Sequence, residues 1–146
     1  MRVVLQRVNF GRVTVNNGVI GEIGPGLVLL VGLGEGDGEK TVQEMATKVA
    51  NLRVFANESG RFDRSVLDTE GSVLAVPQFT LYADTSKGRR PEFFGALKPD
   101  LARPLFERFV EELRACGIKQ VERGEFGAHM VVALENDGPV TISLEL

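Results

Sequence analysis

Two short stretches carry residue types that could bind a small polar molecule and act on it. In PQFTLYAD, Gln78, Phe79 and Thr80 stand where an apolar run gives way to a polar loop. An amide, an aromatic ring, a hydroxyl and the N–H groups of a strand end would then share one rim, which suits recognition of a small polar ligand. The same three residues also fit an ordinary strand terminus. In NDGPV, Gly138-Pro139 separates two β-rich runs, VVAL and VTISLEL. Glycine supplies the positive φ of a tight turn, but Pro139 removes a backbone donor just as the next strand begins. The pair reads either as a turn whose proline blunts an edge strand or as a device that points a carbonyl at something. An X-Pro bond is cis in roughly 5% of cases in folded proteins, and a cis bond would reorient those carbonyls.

Other chemistry-bearing residues lead nowhere firm. GEGDGEKT resembles a phosphate loop, but Glu39 stands where glycine must precede the lysine, and Glu35 and Asp37 would repel phosphates. His129 is the single histidine, so no Ser-His-Asp triad is visible, and no cluster of ligands suits zinc. In AHMVVAL it falls on one face of a strand pattern. Cys116 is the single cysteine; beside Gly117 at a helix end it reads as a packed thiol, and no internal disulfide can form. Thr80 could be a nucleophile, but no base lies near it in sequence. Lys87, Arg89 and Arg90 in SKGRRPEF form the densest basic group, able to meet one or two phosphates or simply to sit in a solvated loop.

These residues need a scaffold, and 146 residues at 43% hydrophobic suit one domain. A formal charge of −3 argues against a broad basic face for long nucleic acid. No apolar run is long enough to span a membrane and no export signal is visible, so the cytoplasm is the expected location. The start of the chain alternates apolar and polar residues, with Asn17-Gly18 as a hairpin signal. GLVLLVGL reads as a strand covered on both faces. Apolar residues from Val42 to Leu52 recur at helical spacing in a segment predicted from Thr41 to about Arg53. SVLAVPQFTLYA reads as another strand. A second helix is predicted around residues 99 to 116, with Leu101, Leu105, Phe109 and Leu113 inward and Gly117 as its stop. Three β-rich segments follow, beginning near Ile118, Met130 and Val140. The expected fold is a single α/β domain over residues 1 to 146, with mixed and antiparallel sheet and two helices packed on one side. Its order is two strands, two strand-helix units and three strands. Short strands with open edges also make a dimer plausible.

Taken together, VVLQRV with Arg7, PQFTLYAD followed by KGRRPEF, then GEFGAHM and NDGPVTI resemble the bacterial D-aminoacyl-tRNA deacylase family, in order and across essentially the whole chain. The resemblance implies a homodimer of small α/β subunits that hydrolyses the ester joining a D-amino acid, and also glycine, to the end of a tRNA. It implies no cofactor, no metal, and neither DNA nor a membrane as partner. Carried over residue by residue, Gln78, Phe79 and Thr80 resemble the pocket for the terminal adenosine and the ester. Ala102, Phe126 and Met130 resemble its walls. Gly138-Pro139, joined by a cis bond, resembles a chirality filter that enters the partner's pocket, and Arg7 the residue that steadies it. One departure stands out: Pro77 occupies the position where the family usually has serine.

The implied chemistry asks little of side chains. Backbone donors near Phe79 and Thr80 could hold a developing oxyanion while the substrate's ribose 2′-hydroxyl assists. Thr80 then binds instead of attacking. Two other readings of the same residues remain: a binding module without catalysis, and a hydrolase of another small acyl ester using Thr80 or Cys116.

Overall fold

The computed structural model describes residues 1 to 146 and opens with a 14-residue strand, β1 (Arg2–Val15). Val3, Leu5, Val8 and Val13 are fully buried along it, as expected of a strand that alternates between core and solvent. β2 (Gly18–Ile23) returns antiparallel through a two-residue loop, Asn16 and Asn17, with φ of 48° and 64°. Two positive φ values match the twist of a hairpin, and asparagine tolerates them. The predicted hairpin is therefore present one residue earlier than Asn17-Gly18, and Gly18 pairs with Val15 as the first residue of β2.

β3 (Gly26–Gly32) runs against β1 and leads through an acidic loop into α1 (Glu39–Asn51). In that loop the Asp37 carboxylate accepts the Gly34 N–H at 2.7 Å and the Met1 ammonium at 2.7 Å. An acid thus occupies the space a phosphate loop would leave for its anion. A small ribbon, β4 (Phe55–Ala56) with β5 (Phe62–Arg64), precedes β6 (Ser72–Pro77), which lies parallel to β3. Then come α2 (Pro99–Ala115), β7 (Val121–Arg123) and β8 (Val131–Glu145).

The main sheet runs β2-β1-β3-β6-β7, with β8 along the other edge of β1. It curls toward closure, since the Gln120 side chain of the loop before β7 reaches the Glu22 carbonyl of β2 at 3.3 Å. Both helices cover one face. Val42, Met45 and Val49 of α1 meet Phe106, Phe109 and Leu113 of α2 in a cluster of 25 buried residues. The opposite face closes on six: Val8, Val13, Ile23, Val28, Leu74 and Val76. This is the mixed α/β domain predicted from the pattern.

Three local expectations change. Leu101 is 57% exposed, and the inward face of α2 is instead Ala102, Phe106, Phe109, Val110 and Leu113. Proline at the first helical position starts the helix at Pro99, and the core-facing row follows the three-and-four spacing from Ala102. His129 stands before β8, exposed in a loop, and not within a strand. Most importantly, Gly138-Pro139 is no hairpin turn. Two strands rather than three follow α2, and β8 runs through the pair, antiparallel to β1 on both sides of it. Gln6 pairs with Thr141 and Val8 with Asn136, so residues 137 to 140 all oppose Arg7. The extra residues bulge outward.

Candidate functional site

β6 ends at Pro77, and the chain turns at once into a single 3-10 turn, Phe79–Tyr82. The three rim residues predicted at a strand end are therefore one step beyond it. Gln78 N–H still bonds back to the Val31 carbonyl at 2.7 Å, which fixes the exit of the strand. Leu81 N–H bonds to the Gln78 carbonyl at 3.3 Å. Between them, the amides of Phe79 and Thr80 find no acceptor outside the turn, and the first residues of such a turn have none within it. Two consecutive N–H groups are left free to donate.

Pro77 fits this geometry. In β6 the amide of Gln78 bonds to β3, whereas that of Val73 bonds to the Gln120 carbonyl beside β7. Alternation gives the amide of residue 77 to the β7 side, and β7 stops at Arg123, opposite Ala75. A proline there removes no ladder bond.

The rim opens on a cavity of about 470 Å³. Val31, Leu33, Pro77, Gln78 and Phe79 form one wall, and Phe93 packs edge-on against Phe79 with ring centroids 5.0 Å apart. Ala102, Arg103 and Phe106 of α2 form the facing wall with Phe126. The size suits a nucleoside with a small attached group, and the lining is mostly apolar. Lys98 and Arg103 are the only charged residues in the lining, and Arg103 lies over the Phe126 ring at 5.1 Å. The site is therefore electropositive.

The predicted residues divide in two. Gln78, Phe79, Ala102 and Phe126 line the cavity, and Thr80 stands beside them, exposed, with its hydroxyl accepting from the Gln78 amide. No carboxylate or imidazole bonds to Thr80. Met130 is not in the lining; it packs against the six-residue cluster on the other face, where Gly124 leaves room for its sulfur beside Pro77. Gly138 and Pro139 lie on the β8 bulge, exposed and outside the lining of the cavity in the same chain. Their peptide bond is cis. Arg7 holds the bulge: its Nε donates to the Asp137 carbonyl at 3.1 Å and its terminal nitrogen to the Val54 carbonyl at 2.6 Å. Cys116 is half-buried at the end of α2, away from the cavity. Nowhere do three His, Cys, Asp or Glu side chains gather as a metal would need, and no helix is long and apolar enough to cross a membrane.

Reading the sequence missed Phe93, Lys98, Arg103 and Phe106 as lining. Arg103 and Phe106 sit one and four places after Ala102, so the helical face of Ala102 was the available signal.

A family model described as D-Tyr-tRNA(Tyr) deacylase matches residues 4–145. A D-aminoacyl-tRNA deacylase of Thermomicrobium roseum is 56% identical over 145 residues, spanning 99% of this chain and 94% of its own length. One from Bacillus thuringiensis is 54% identical, spanning 99% of each. Among solved structures, the c-Myc DNA unwinding element binding protein superposes with a TM-score of 0.94 at 40% identity, covering 100% of this chain and 99% of the other.

Proposed function

Because this chain belongs to the D-Tyr-tRNA(Tyr) deacylase family, and is thus a hydrolase of D-aminoacyl-tRNA, we propose how its cavity performs and restricts that reaction. The terminal adenosine enters the cavity between Phe79 and Phe126, with Gln78, Thr80 and Ala102 against it. The ester carbonyl lies at the rim. Water attacks its carbon, the bond to the ribose oxygen breaks, and that oxygen leaves with a proton, giving free amino acid and tRNA.

The observation that carries this reading is the pair of unpartnered amides at Phe79 and Thr80 beside an electropositive cavity. They donate to the oxyanion that develops on the carbonyl, a contribution of about 3–4 kcal/mol per donor in comparable sites. The neighbouring 2′-hydroxyl of the substrate relays the proton. Thr80 binds the substrate and Phe79 supplies ring and amide; neither attacks.

Selection against L-residues is assigned to Gly138-Pro139 of a second copy. The bulge is exposed, clamped by Arg7, and remote from its own cavity, so a sister subunit is the site it can serve. β8 also offers an unpaired outer edge along 15 residues, with Val131 59% exposed, which favours assembly of two copies. Main-chain carbonyls accept from the substrate ammonium, and their bulk leaves no space for a side chain of L configuration. Glycine passes because it has no side chain, so glycyl-tRNA is also a substrate. Met130, packed behind Pro77, backs the wall without touching the ligand.

The substrate is a tRNA end and the work is done in the cytoplasm, without metal or cofactor. DNA is not the ligand: the net charge is −3, and the free cations gather around one cavity. The deciding experiment offers D-tyrosyl-tRNA, L-tyrosyl-tRNA and D-tyrosyl-tRNA ending in 2′-deoxyadenosine. Rapid release from the first alone supports the whole proposal. Equal release from the first two removes the filter, and undiminished release from the third removes the hydroxyl relay.

A further inference from the structure

Between the 3-10 turn and α2 the chain forms a ribbon closed at its base by Asp84 and Glu92, whose backbones exchange hydrogen bonds of 2.7 and 3.0 Å. Lys87, Arg89 and Arg90 occupy its tip, and residues 83 to 92 are all exposed. Gly88, with φ of 70°, lets the tip turn. None of the three cations enters an ion pair, and neither does Lys98 or Arg103 of the cavity lining. The nearest acid, Asp84, is engaged with the Ser86 N–H at 2.8 Å.

One residue past the cavity-lining Phe93 stands Phe94, 80% exposed, the most exposed of the large apolar side chains. A ring left in water beside unpaired cations, at the mouth of an electropositive cavity, combines the two features that hold single-stranded nucleic acid. Bases stack on the aromatic face and phosphates meet the charges.

We propose that Phe94 and the ribbon cations Lys87, Arg89 and Arg90 form a track for the unpaired nucleotides that precede the terminal adenosine of the substrate tRNA. The inference rests on the deacylase reading of the cavity. It adds where the strand runs after leaving it: one base stacks on Phe94, and the backbone passes along the ribbon tip. The contacts are sequence-tolerant, as an enzyme that must serve many tRNAs requires.

The test compares D-tyrosyl-tRNA with the D-tyrosyl ester of adenosine, which fills the cavity but has no preceding nucleotides. Replacing Lys87, Arg89 and Arg90 together by glutamine should lower kcat/KM on the tRNA. It should also flatten the slope of log kcat/KM against log salt by about 2, from roughly 0.7 per lost phosphate contact on a single strand. Phe94→Ala should raise KM for the tRNA about tenfold, the loss of one stacked base, with little change in salt slope. Both variants should hydrolyse the adenosine ester as wild type does. Unchanged kinetics on the tRNA would overturn the proposal, and so would equal losses on both substrates. A Phe94→Ala variant that dissociates in sedimentation, and loses activity on both esters, would make Phe94 a contact between copies instead. Wild-type protein that hydrolyses neither ester would be a different failure, that of the deacylase reading.

Discussion

Arg7 grips Asp137 twice, through the carbonyl at 3.1 Å and the carboxylate at 3.3 Å, and so anchors the residue immediately before Gly138. With its other arm on the Val54 carbonyl at 2.6 Å, the guanidinium ties the β8 bulge to the loop before β4. Lysine cannot fork between those carbonyls. Arg7→Lys should therefore loosen the bulge while leaving the cavity intact. The ratio of kcat/KM for D-tyrosyl-tRNA over L-tyrosyl-tRNA should fall about tenfold or more, equivalent to one charge-assisted hydrogen bond of roughly 1.5–3 kcal/mol. An unchanged ratio would separate Arg7 from selection.

Gly138 has φ of 136°, and a Cβ added there would sit 2.8 Å from Val140 Cγ2 and 3.0 Å from the Val140 nitrogen. Gly138→Ala should cost about 1–3 kcal/mol of stability and distort the filter. Ala102→Phe should fill the cavity and abolish hydrolysis. If the filter serves a partner, co-expressing these two variants should restore one D-selective site per mixed dimer. Affinity-purified mixed dimers that show no recovery would place the filter within its own chain.

Thr80 carries a hydroxyl next to the Gln78 amide and no base. Thr80→Ala should keep single-turnover hydrolysis within about tenfold of wild type, a binding loss of one neutral hydrogen bond. A fall of about ten-thousandfold would identify Thr80 as the nucleophile.

Tyr82 is the single tyrosine of a chain without tryptophan, so its phenolate absorbance can be read alone. Burial, helped by the Asp37 charge, pushes its pKa from the ordinary 10.0 up to about 12. The neutral phenol is what the fold prefers. Its contribution to stability is complete below pH 10 and is lost as the pH rises toward 12. Urea midpoints should decline over that range in wild type and decline less in Tyr82→Phe. A phenol titrating near 10 in the folded protein would contradict this.

Local signals carried much of the architecture. The asparagine pair announced the first hairpin, and three-and-four spacing announced both helices, because turn chemistry and amphipathic period act over a few residues. The role of residues 136 to 140 was legible only in part. A Gly-Pro pair after Asn-Asp satisfies every local rule for a turn, yet β1 is long enough to hold β8 on both sides of it, and pairing 11 β1 residues with β8 outweighs the local preference. The four side chains or rings facing Ala102 and Phe79 across the cavity were invisible for the same reason: no local pattern says which helix face meets which strand end. The free amides of Phe79 and Thr80 leave no trace in residue type at all, since every residue but proline has one. That is why Pro77, one place earlier, disturbs the family pattern without disturbing the site.

The unpaired outer edge of β8 has one more consequence. If two copies cover it for each other, each subunit's persistence depends on how often it meets its sister. Melting temperature should then climb with protein concentration, and dilution alone should open the edge to proteases, with no denaturant added.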